Sequence, residues 1–111
     1  MTSGRPQPLR GEIWDVHFPG MGTHPAVVLS VNPLNARLGH VAVVPVTGTE
    51  GPSLTHVAVG ADAGLTRCTE SFADVTGLQP VARGRLQRRR GLLAPSEMAR
   101  IDEQLRIYLG L

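Results

Sequence analysis

Two valine-rich runs constrain this chain more than any other feature: "PAVVLSV" at 25–31 and "HVAVVPV" at 40–46. Each is an almost unbroken apolar stretch bounded by breakers and rich in β-branched residues, the pattern of a short strand buried in a sheet. With 111 residues there is room for one core and not two, so these two strands belong at its centre. The segment joining them carries Asn32, Pro33, Asn35 and Gly39 and reads as a polar loop.

Weaker patterns fill in around that pair. "GEIWDVHF" places Ile13, Val16 and Phe18, with Trp14 between them, on a first strand, and "PGMGT" at 19–23 follows as a turn-rich loop. "LTHVAVG" at 54–60 alternates more cleanly and reads as a half-exposed fourth strand. "RCTESFADV" at 67–75 supplies a fifth, followed by a turn at Thr76 and Gly77. "VARGRLQRRRGLL" at 81–93 holds one short helical turn and then a short strand through Leu92 and Leu93. In "PSEMARIDEQLRIYL" at 95–109, helical spacing puts Met98, Ile101, Leu105, Tyr108 and Leu109 on one face, with Glu97, Arg100, Glu103 and Gln104 facing away. Pro95 suits the first helical position, and Asp102 and Arg106 form an i, i+4 pair. Short strands closed by one amphipathic helix predict a mainly β domain with α: a small, strongly curved sheet or barrel with the helix packed on it. Residues 1–9, with Gly, two Pro and no periodicity, read as a disordered lead-in, leaving 10–111 as the domain.

Charge and cysteine usage narrow the function classes. All 11 cations are Arg, set against 9 acidic residues, and a net charge of +2 with a pI near 9.5 permits nucleic-acid contact without demanding it. Five of those Arg cluster in "ARGRLQRRRG" as Arg83, Arg85, Arg88, Arg89 and Arg90. Such a run is either a solvated face or an electrostatic footprint for phosphates or an acidic partner. Cys68 stands alone, so no intramolecular disulfide forms and a reducing compartment is expected. There is no signal-like N-terminal apolar core and no apolar run near the roughly 20 residues of a membrane span, so the expectation is a cytoplasmic protein with no membrane role. Four scattered His and one Cys make no metal-ligand spacing, and neither a metal nor a cofactor is expected. Four aromatics are too few for a base-stacking platform, and Trp14 reads as core.

The order "RGEIWDV", turn, "HPAVVLSVNPLNARLGHVAVVPVTGT" and terminal "GLLAPSEMARIDEQLRIYLGL" resembles the MazF/PemK family of bacterial toxin endoribonucleases, from Arg10 to the C-terminus. The resemblance implies an SH3-like or CcdB-like barrel, a homodimer, and metal-independent cleavage of single-stranded RNA by 2′-hydroxyl attack, leaving a 2′,3′-cyclic phosphate and a 5′-hydroxyl. It also implies a cognate antitoxin whose disordered acidic-hydrophobic tail lies along the toxin groove, where the clustered Arg would meet it. The family's central residues are the basic residue opening the second strand and the Thr ending the third, which stand here as His24 and Thr47. The RNA-facing set that follows is His17, Pro25, Gly48, Thr49, Arg67 and Glu70.

His24 departs from the pattern, because the family usually has Arg there. The reaction needs a group to take the 2′-hydroxyl proton, one to protonate the leaving oxygen, and donors for the phosphoryl oxygens. Arg supplies charge and a fork of donors, whereas His exchanges protons near neutral pH. His24 is then a titrating acid or base, with Thr47 donating to the scissile phosphate; the other reading is a ring that only caps the strand. A second departure is Thr76, near where relatives carry an acid; Glu70 and Asp74 are the acids at hand. The competing class is a non-cleaving nucleic-acid or antitoxin binder, or a gyrase-poisoning toxin on the same fold.

Overall fold

A computed structural model describes residues 7–60 and 70–111. Within them the chain forms β1 (Glu12–Phe18), β2 (Gly22–Val28), α1 (Asn32–Arg37), β3 (His40–Thr47), β4 (His56–Val59), β5 (Ser71–Asp74), β6 (Gln79–Ala82), β7 (Leu86–Leu92) and α2 (Pro95–Leu109). All pairings are antiparallel, and the strands run β4-β5-β3-β2-β1-β7 across one sheet, with β6 also on β3. The class is the expected one, mainly β with a C-terminal helix, but among the described residues the path from β4 to β7 does not close into a barrel.

β3 is the organising strand. One edge pairs with β2 through Val43–Pro45, while the other is divided, taking β6 along His40–Val43 and β5 at Val46 and Thr47. Pro45 falls between those two partners, where no N–H is required of it, so a proline survives in a central strand. The 3-10 turn Val75–Gly77 crosses that gap, and a Cβ on Gly77 would lie 2.5 Å from both Cγ and Cδ of Pro45. Only glycine lets the turn come this close.

The unbroken valine runs follow from burial on both sheet faces. On one face Ile13, Val27, Leu29, Val44 and Val46 pack with Val57, Val59, Ala73 and Val75, under Ile101, Met98 and Leu105 of α2. On the other, Trp14, Val16, Phe18, Ala26, Val28, Val41 and Val43 are covered by the sheet's own bend, which brings in Val81 of β6 and Leu86 of β7. Trp14 is core, as expected.

Several local expectations are corrected. Residues 32–37, read as loop, are the short helix α1, anchored by Asn35: this fully buried side chain donates to the carbonyls of Ser30 (2.8 Å) and Pro8 (3.3 Å). Packing therefore begins before Arg10, since Pro8 is buried and Gln7 donates to Asn32 O, while residues 1–6 lie outside the described set. β2 starts at Gly22, shortening the hairpin loop, and β6 occupies residues in which no strand was expected. Glu97 does not face away: its Oε1 accepts from Ala94 N (2.8 Å) at the helix start and its Oε2 from Gly60 N (2.6 Å). Asp102 pairs with Arg10, through two 2.6 Å contacts to one guanidinium nitrogen, instead of Arg106. Tyr108 and Leu109 remain half-exposed at the end of α2, which stops at Gly110 with φ 72.

Candidate active site

A cleft of about 1130 Å³ opens where β1, β2, β3 and β7 meet the β1–β2 turn. Its wall includes His24, Thr47, Pro25 and Gly48 from the expected set, together with Asp15, Phe18, Met21, Asp74, Arg88 and Arg90. The β2–β3 register pairs Ala26 with Pro45, and extending it by two residues sets His24 level with Thr47. The ladder itself ends at Ala26 and Pro45; His24 and Thr47, 23 positions apart in sequence, lie beyond it and both line the cleft.

His24 is exposed at the opening of β2, and its Nε2 lies 2.9 Å from the carbonyl oxygen of Met21. A carbonyl only accepts, so Nε2 carries the hydrogen and Nδ1 is the nitrogen left for a ligand. The ring also leans toward buried Phe18, at a centroid separation of 6.4 Å and a 45° tilt. Thr47 Oγ1 accepts from Thr49 N at 3.1 Å, which occupies the oxygen as an acceptor. Its hydroxyl hydrogen has no acceptor among the described residues and is available to donate into the cleft.

The arginine cluster divides by strand alternation. Arg88 and Arg90 fall on the cleft side of β7 and both meet Asp15 of β1, Arg90 NH1 at 3.0 Å from Oδ1 and Arg88 Nε at 3.5 Å from Oδ2. Arg89, between them, turns to the opposite face and its Nε bonds buried Glu12, which also accepts from Trp14 Nε1 (3.0 Å) and Leu9 N (2.8 Å). Arg89 thus ties β7 to Glu12 at the start of β1 and does not line the cleft. Arg83 and Arg85 sit in the 3-10 turn before β7, outside the cleft wall.

Other expected residues are not brought into the site. His17, half-buried on β1 opposite Thr23, and Glu70, exposed before β5, do not line the cleft. Thr49 contributes through its N–H to Thr47 and does not itself line it. Arg67 lies outside the described residues. Asp74 does reach the cleft, with Oδ1 occupied by Thr76 N (3.0 Å) and Thr76 Oγ1 (2.7 Å), and with Oδ2 3.9 Å from His56 Nε2. Sequence reasoning missed Asp15, although a carboxylate inside the apolar first strand was a visible signal. Among the described residues, no three His, Cys, Asp or Glu side chains gather to hold a metal ion.

A small open roll of short strands, with a hydroxyl donor, an imidazole and two guanidinium groups around one cleft, defines a protein equipped to hold and act on a phosphodiester. The chain belongs to the PemK-like, MazF-like toxin family of type II toxin–antitoxin systems, whose model matches residues 9–109. It is 32% identical to Endoribonuclease MazF9 of Mycobacterium tuberculosis (strain ATCC 25618 / H37Rv), over 92% of this chain and 96% of that protein. Among solved structures it is similar to a mycobacterial endoribonuclease in complex with its cognate antitoxin, with a TM-score of 0.84 and 28% identity, covering 94% of this chain and 96% of that one. A MazE–MazF structure from Deinococcus radiodurans shares the fold at a TM-score of 0.82 and 23% identity, covering 96% and 99% of the two chains.

Proposed function

We propose that this chain is a MazF-type toxin endoribonuclease of a type II toxin–antitoxin system, whose cleft holds single-stranded RNA and directs a 2′-hydroxyl onto the adjacent phosphorus without a metal ion. The observation that supports the site assignment is that His24 and Thr47 both line the same cleft. Thr47, its oxygen held by Thr49 N–H, donates to a non-bridging oxygen of the scissile phosphate. His24, oriented through Nε2, takes the 2′-hydroxyl proton at Nδ1 as that oxygen attacks phosphorus, and the leaving 5′-oxygen takes its proton from water. Attack breaks the P–O5′ bond and leaves a 2′,3′-cyclic phosphate and a 5′-hydroxyl. Arg88 and Arg90 hold the backbone by charge and forked donors, and Pro25 and Gly48 shape the wall.

The natural brake is a cognate antitoxin whose acidic-hydrophobic tail follows the same cleft, a reading supported by the antitoxin complex of the similar mycobacterial enzyme. The working unit is a homodimer of one domain, acting in the cytoplasm with no cofactor. Among the described residues, no helix is long and apolar enough to cross a membrane.

The test is to incubate the purified protein with a long unstructured RNA in the absence of divalent metal and to map the new ends across pH. Wild type should give discrete cuts with cyclic-phosphate ends, and both His24→Ala and Thr47→Ala should lose them. Cleavage by wild type should show a pH dependence that His24→Arg lacks. If His24→Arg cleaves and wild type does not, the protein is a non-cleaving binder on this fold.

A further inference from the structure

Asp15 lines the cleft, meets both of its arginines and has no part in the proposed chemistry. It is central on β1, where Pro25 of β2 is its partner on one side and Arg88 of β7 on the other. The row Pro25–Asp15–Arg88 therefore crosses three strands at right angles to the chain direction, and all three residues line the cleft. Two interstrand steps separate β2 from β7, about 10 Å. The arginines thus stand away from the scissile position at His24 and Thr47, along the direction in which the cleft crosses the sheet.

Both oxygens of this carboxylate are engaged, Oδ1 by Arg90 and Oδ2 by Arg88, and its side chain is only 16% exposed. Arg90 is equally enclosed at 17%, whereas Arg88 is 69% exposed. One guanidinium is thus fixed in the wall and the other leans on the same anchor with most of its donors in solvent. The three groups sum to one positive charge, with the anchor's own lone pairs turned toward its arginines and not toward an incoming anion.

We propose that Asp15, Arg88 and Arg90 form a built subsite for an RNA phosphate flanking the scissile one, with Asp15 as the positioning residue that presents the two guanidinium groups. This rests on the proposed RNA-cleaving function and adds a second anchoring point on the same strand. Asp15 touches neither the reacting atoms nor the phosphate and acts through the arginines.

The sign of the effect separates positioning from bulk attraction. Asp15→Asn removes a negative charge from a cleft that binds a polyanion, so simple electrostatics predicts tighter RNA binding. Positioning predicts weaker binding, because an amide cannot accept from both arginines on two oxygens. The experiment measures kcat and KM for cleavage, and Kd for an uncleavable RNA carrying a 2′-deoxy nucleotide at the cut site, in wild type, Asp15→Asn, Arg88→Gln and the double variant. We expect Asp15→Asn to raise KM and Kd about tenfold, with the loss falling on KM and not on kcat, and the double variant to be little worse than either single one. Arg88 is exposed enough that its substitution leaves folding intact, which secures the result if Asp15→Asn is unstable. A neutral methylphosphonate at the flanking phosphate should cost wild type a similar factor and Asp15→Asn almost nothing. Tighter binding by Asp15→Asn, or equal methylphosphonate penalties in both proteins at every flanking position, overturns the subsite. Absence of any RNA cleavage by wild type instead overturns the function on which it rests.

Discussion

Truncating Glu97 tests the join between sheet and helix most directly. Its carboxylate takes two backbone donors, Ala94 N at the start of α2 (2.8 Å) and Gly60 N just past β4 (2.6 Å). The residue is 9% exposed, and Ala94 itself has no side chain able to cap the helix, so Glu97 provides half of a capping box alone. Each charge-assisted bond contributes about 1.5–3 kcal/mol, and because both are only part-buried the lower end applies. Glu97→Ala should therefore cost about 3 kcal/mol and Glu97→Gln, which keeps one acceptor oxygen, about half of that. For a chain of this length the alanine variant should melt about 12 °C lower. Urea unfolding followed by circular dichroism, with an unchanged m-value, gives the number directly. A loss below about 0.5 kcal/mol for Glu97→Ala would refute the bridge and return Glu97 to the solvent face that helical spacing alone assigns it.

Two further substitutions probe packing. Gly77→Ala drives a methyl into the Pro45 ring, which is locked in β3 and cannot yield; it should lose about 2 kcal/mol on unfolding and reduce RNA cleavage further by displacing Val46 and Thr47, whereas wild-type stability would disprove the contact. Ile101→Ala empties the centre of the helix–sheet core and should cost about 3 kcal/mol in the same unfolding assay, with a value under 1 kcal/mol showing that α2 is not the cover of that face.

The sequence by itself determined the elements whose signal is local. Continuous valine in β2 and β3 marks segments buried on both sheet faces, helical spacing in 95–109 places Ile101 at the core, and His24 and Thr47 flank those segments and line one cleft. α1 escaped because six residues are too few for a period to show, and its anchor is a buried Asn35 bonded to Pro8 and Ser30. β6 escaped because Pro80 interrupts a run of only four residues; among the described residues it pairs with β3 alone, and a proline is tolerated at such an edge. What only tertiary structure decided are partnerships between distant segments: Arg90 with Asp15 across 75 positions, Arg10 with Asp102 across 92, Glu97 with Gly60 across 37. Periodicity states which side of its own element a residue occupies, but it carries no information about which other element arrives there. That is why five clustered arginines looked alike in sequence, while the register of β7 on β1 turned Arg88 and Arg90 into the cleft and Arg89 onto the buried Glu12 behind it.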